Sequence, residues 1–199
     1  MILGFHGCDA YVRDEVVLKK GVLLKESANN YDWLGNGIYF WENNYQRALQ
    51  FAQELKDNPR KGKQMINEPA VIGAIIDLGY CLDFMDSAYL PYLKESYETL
   101  KKIHEVQGLA IPENKKTGSN PDLLLRYLDC AVIETLHLYF KEETNTSFDS
   151  VRGMFLEGDD LYPNAGFKEK NHVQIAIRNP NCIKGFFIPR ELDPKFTNP

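Results

Sequence analysis

Cysteine is scarce in this chain, and the four present (Cys8, Cys81, Cys130 and Cys182) show no C-x-x-C spacing. That argues against a disulfide framework and a cysteine-based zinc site, and predicts a reducing, cytoplasmic setting. No apolar stretch approaches the roughly 20 residues needed to cross a bilayer, so no membrane partner is expected. The first residues hold no basic region followed by an apolar run, which predicts no cleaved leader. Positive charge is also in deficit. The net charge of −5 argues against broad, non-specific nucleic-acid binding, although the run Arg60-Lys61-Gly62-Lys63 keeps a local contact open. Glycine-rich phosphate loops, metal-ligand clusters, internal repeats and low-complexity segments are all missing.

What is present fits one domain over residues 1–199, 44% hydrophobic and 12% aromatic, and long enough to bury a core. Residues 2–6 read as a short apolar strand. Residues 11–20 have helical spacing (Val12, Val16, Val17), with Gly21 as the stop. Residues 37–41 form a second strand, and Asn43 or Asn44 caps a helix running to about Lys56. The β-branched run at 70–77 predicts a buried strand, which residues 79–82 extend or pair with. Residues 87–107 form a long amphipathic helix, and residues 121–140 a second one led by Asn120-Pro121. Residues 148–158 are a mixed stretch, and strands follow at 172–178 and 182–188. The fold class expected is α+β: a mostly antiparallel sheet with a helical insertion at about 87–140.

Two motifs carry chemistry. Phe5-His6-Gly7 ends the first strand, where a glycine lets backbone approach a planar group and the histidine can donate to a ribose hydroxyl. Gly35-Asn36-Gly37-Ile38-Tyr39-Phe40 combines small residues with an aromatic strand. Alternation turns Tyr39 to a cleft while Phe40 fills the core behind it. An aromatic face attracts a cationic ring by roughly 0.5–2 kcal/mol.

In this order the motifs resemble the ADP-ribosyltransferase superfamily of the poly(ADP-ribose) polymerase and diphtheria-toxin type. That family has a strand ending in His-Gly, a Gly-x-Gly-Ile-Tyr-Phe strand leading into a helix, and a late strand bearing glutamate: the H-Y-E triad. The resemblance is strong over residues 1–56 and weaker in the C-terminal third. It implies a split-sheet fold and a reaction in which NAD+, as co-substrate and without a metal, loses nicotinamide and gives ADP-ribose to a protein or nucleic-acid acceptor. By the resemblance His6 holds the nicotinamide ribose, Gly7 the carboxamide and Tyr39 the nicotinamide face, with Phe40 counted in the same cofactor-binding set.

The third motif departs from the pattern. In the strand from His172, Gln174 stands where the glutamate is expected. Loss of that glutamate goes with single-unit transfer in the family, which points to mono-ADP-ribosylation. Glu157, in Leu156-Glu157-Gly158, is the candidate second acid, the alternative being a solvated loop charge. Arg152 and Arg47 are candidates for phosphate or adenosine-side contacts. Compact members of the family in microbes are often toxins of toxin–antitoxin or antiviral systems, which implies a neutralising protein partner. The alternatives are a catalytically inactive module that binds NAD+, ADP-ribose or only a partner protein, or an NAD+ glycohydrolase.

Overall fold

In the computed structural model, residues 1–59, 65–118, 122–191 and 193–196 are described. The basic run at 60–63 and the Asn120-Pro121 helix start lie outside them. The elements, in chain order, are β1 (Ile2–Asp9), α1 (Ala10–Leu18), β2 (Ile38–Glu42), α2 (Tyr45–Asp57), β3 (Pro69–Ile76), β4 (Cys81–Asp83), α3 (Leu90–Gln107), α4 (Tyr127–Thr144), β5 (Ser150–Phe155), β6 (His172–Ile177) and β7 (Ile183–Phe187). The architecture is α+β, with a seven-stranded mixed sheet in the order β4-β5-β6-β2-β1-β3-β7. Among the described residues, the strand pairs of this sheet are antiparallel except β4–β5, which is parallel.

One joint in this sheet matters for the site. β1 and β2 pair only at Gly4↔Glu42 and Phe5↔Trp41, while β1 continues to Asp9 along β3. Beyond the joint the two halves part. Phe40, Ile175 and Ile177 from the β2 half then pack against Ile72 and Ile76 from the β3 half in one core. The facing side chains of a twisted sheet bury each other here, as two layers would.

Helix α2 lies across the other face. Asn44 is its N-cap, its Oδ1 accepting from Arg47 N at 2.9 Å. Asn43 cannot serve, because its φ of +48° places it in the left-handed region. Ala48 and Ala52, one turn apart, let the helix settle onto Gly7. A Cβ on Gly7 would stand 2.0 Å from the Ala48 carbonyl oxygen.

Three expectations are corrected. The first strand does not end at His6-Gly7: β1 runs on to Asp9, with Gly7 opposite Val71. Residues 79–82 do not join the 70–77 strand. Gly79 turns the chain with φ +59°, and β4 pairs with β5 at the far edge. A Cβ there would meet the Asp149 carboxylate, which accepts from Tyr80 N at 2.9 Å. The second long helix begins at Tyr127 rather than 121; within the described residues 122–126 are not helical, and Lys115 and Leu125 form an isolated bridge. The mixed stretch at 148–158 resolves into β5 followed by an irregular connection. Among the described residues no helix is long and apolar enough to cross a membrane.

Candidate active site

Where β1 leaves β2, the His6 ring bridges the seam. Its Nδ1 lies 2.7 Å from the Tyr39 carbonyl oxygen. A carbonyl only accepts, so Nδ1 carries the proton in this bond. Burial pushes the ring's pKa below its ordinary value, with the Tyr39 bond pulling the other way. His6 is therefore neutral, and its Nε2 presents a lone pair. With its Nδ1 proton spent on Tyr39, the ring is left with an acceptor at Nε2.

Around this seam a cleft of about 300 Å3 gathers His6, Tyr39, Phe40, Arg47, Glu157 and Gln174. These six expected residues come from β1, β2, α2, the β5–β6 connection and β6. Gln174 sits opposite Trp41 in the β2–β6 register, and its side chain makes no hydrogen bond with the described residues. Phe40 is fully buried in the core, so it backs the cleft.

Tyr39 is held by its hydroxyl, which accepts from Leu34 N at 2.8 Å and donates to Gly35 O at 2.6 Å. Burial raises its pKa well above the ordinary value, so the phenol does not ionise near neutrality. What it offers is a fixed ring face. The Gly35–Gly37 turn that receives the hydroxyl is itself anchored from α4. Glu134 accepts from Asn36 N at 2.7 Å and pairs with Arg178, also at 2.7 Å.

Glu157 is no solvated loop acid. It is 7% exposed, and both its oxygens accept from Arg47 Nη2, at 3.1 and 2.9 Å. Its neighbour His172 lies 3.9 Å away and is buried, with no hydrogen-bond partner for Nε2 among the described residues. Burial, the largest effect, lowers the His172 pKa, against the raising influence of its hydrogen bond to the Lys170 carbonyl and then of Glu157. Trp33 stacks near that ring, and Arg126 lies 4.3 Å over the Trp33 indole.

Two expected residues stand apart. Arg152 is on the opposite face of the sheet, bonded to Glu42 at 2.6 Å and Asp83 at 2.8 Å. Its register partner is Ile175, whereas Gln174 is opposite Gly153. Gly7 does not line the cleft; its Cα faces α2.

The cleft also includes Asn29, Asp32, Trp33, Trp41, Phe51, Glu54 and other residues to which the sequence assigned no site role. Some were within reach: Arg47, Phe51 and Glu54 recur at helical spacing on α2, and Trp41 alternates with Tyr39. Trp33 was not, since its indole is fixed by a bond to Leu124 O, 91 residues away. No protein-family model, curated protein or solved structure matches this chain.

Proposed function

We propose that the chain is a mono-ADP-ribosyltransferase that consumes NAD+, with an ADP-ribosyltransferase-type split sheet. The observation that supports this best is the parted β1–β2 seam. It brings the two motif residues, His6 and Tyr39, into one cleft with Arg47, Gln174 and Glu157. The nicotinamide ring lies on the Tyr39 face, and its ribose hydroxyl donates to His6 Nε2. The bond from the ribosyl C1′ to the nicotinamide nitrogen breaks, and its electron pair leaves with neutral nicotinamide. The ribosyl cation is steadied by the Gln174 amide dipole and by the Glu157 carboxylate. An oxygen or nitrogen of the acceptor then bonds to C1′ and gives its proton to solvent or to Glu157. No step requires a metal. The family resemblance further suggests a toxin held by a neutralising protein.

A second reading has its own support. Gln174 replaces a carboxylate, and Glu157 is closed on Arg47, as fits a module that binds NAD+ without turning it over. Product analysis after incubation with NAD+ separates the readings. Transfer yields nicotinamide and a modified macromolecule, hydrolysis yields nicotinamide and free ADP-ribose, and a binding module yields neither while still binding NAD+.

A further inference from the structure

The Arg47–Glu157 pair is only half satisfied. Arg47, 5% exposed, meets Glu157 through one nitrogen, Nη2, while its Nε and Nη1 are buried without a hydrogen-bond partner among the described residues. The nearest other carboxylate, Glu54, is 3.8 Å from Nη1, an ion-pair distance rather than a hydrogen bond. Buried N–H groups left unmet are costly, and a better-fitting anion removes that cost. A guanidinium fork is best matched by oxygens that reach two nitrogens at once, which a phosphate provides.

Glu157 belongs to the irregular connection between β5 and β6, and Gly158 directly after it has φ +89°, a conformation that favours glycine. The connection is tied down by polar contacts rather than by a core: Gly158 N to Asp122, Lys168 to Gly158 O, and Lys170 to Glu54. Its Leu161, Tyr162 and Phe167 are exposed. Glu157 and Gln174 line the same cleft, so a carboxylate released from Arg47 has the reacting end of the site open to it.

We infer that the Arg47–Glu157 pair is a latch opened by a diphosphate: the ligand's phosphate oxygens take Arg47, and the freed Glu157 carboxylate turns toward the ribosyl carbon beside Gln174. The identity of the ligand as NAD+ rests on the function proposed above; the exchange on Arg47 needs only a diphosphate. The carboxylate is thereby neutralised while the site is empty and supplied when substrate is seated.

The test titrates wild type, Glu157→Gln and Arg47→Lys with NAD+ and separately with ADP, by calorimetry, alongside nicotinamide release. A neutral amide holds Arg47 less strongly, so Glu157→Gln binds both ligands about five- to tenfold more tightly and loses turnover. Arg47→Lys keeps the charge without the fork and binds both roughly tenfold more weakly. Unchanged or weaker affinity in Glu157→Gln overturns the latch, and NAD+ binding by wild type then leaves the cleft reading standing. Tighter binding with undiminished turnover overturns the role of the freed carboxylate. ADP affinity that rises in Glu157→Gln, with no NAD+ bound by any form, supports the latch and overturns the NAD+ reading. Binding of neither ligand overturns both. Should Glu157→Gln fail to fold, Glu157→Asp, which draws the carboxylate back by one methylene, carries the same expectation, read as a larger rise in Tm on adding ADP.

Discussion

His6 reaches across the seam between β1 and β2 to the carbonyl oxygen of Tyr39, 2.7 Å from its Nδ1. The two motif residues are thus one unit: the bond sets the tautomer of the histidine and ties the strand that carries the tyrosine ring. His6→Ala removes the Nε2 acceptor and unties the seam, and nicotinamide release should fall roughly a hundredfold, the scale of a misplaced reacting group. The rate of nicotinamide release from NAD+ checks this.

The Tyr39 hydroxyl is structural in this account, because both of its hydrogen-bonding functions are used within the Leu34–Gly35 turn. Tyr39→Phe leaves Leu34 N unmet and should cost about 1–3 kcal/mol of stability. NAD+ affinity should stay within a few-fold, since the ring face remains. Urea unfolding and NAD+ titration of the same variant give both numbers, and a large loss of affinity without loss of stability would assign the hydroxyl to the ligand instead.

Arg152 and Arg47 look alike in sequence and part company in the fold. Arg152→Ala breaks the Glu42–Arg152–Asp83 network on the far face. The expected result is a lower Tm and an NAD+ dissociation constant unchanged from wild type, measured at a temperature where both proteins are folded.

Which parts were legible follows from the range of the forces involved. Strand alternation separated Tyr39 from Phe40, and helix capping placed the start of α2 at Asn43 or Asn44, because both are set by neighbours in sequence; the backbone then selects Asn44. The cleft itself depends on long-range meetings. Arg47 and Glu157 are 110 residues apart, as are Arg152 and Glu42, and no local pattern says which arginine finds which acid. Gly7 read as a point of ligand approach, yet its missing Cβ makes room for the Ala48 carbonyl. The parallel β4–β5 pair was illegible for the same reason, since it joins Cys81–Asp83 to Ser150–Arg152 across the whole helical segment.

Glu134 is the means by which the helical segment acts on the cleft. It holds Asn36 N and Arg178, and so fixes the turn that receives the Tyr39 hydroxyl. Glu134→Ala strands Arg178 and should destabilise by about 2–4 kcal/mol, in the range of broken buried pairs discounted for partial exposure. A denaturant midpoint shift with little change in m checks this.

Acid should weaken the fold through its histidines. Burial, with Arg178 nearby, lowers the His137 pKa from 6.5 to about 4 despite the opposing Glu134. His6 and His172 are shifted in the same direction. Above the unfolded value both states are neutral and the shift contributes nothing. As pH falls below about 6.5 the unfolded chain takes up protons that the folded one refuses, so stability declines until the folded groups titrate. For His137 alone the loss at pH 4 is on the order of 3 kcal/mol. His137→Phe should flatten the decline between pH 6.5 and 4, as read from Tm against pH.

The activity proposed for this cleft is the breakage of NAD+ and the transfer of its ADP-ribose. The direct measurement is incubation of the purified protein with NAD+ labelled in the adenylate phosphate, in cell extract, with nicotinamide followed in parallel. Wild type should release nicotinamide and place label on a macromolecule, and His6→Ala should do neither at a comparable rate. NAD+ that binds to wild type, yet yields no nicotinamide and no transferred label, would contradict the account.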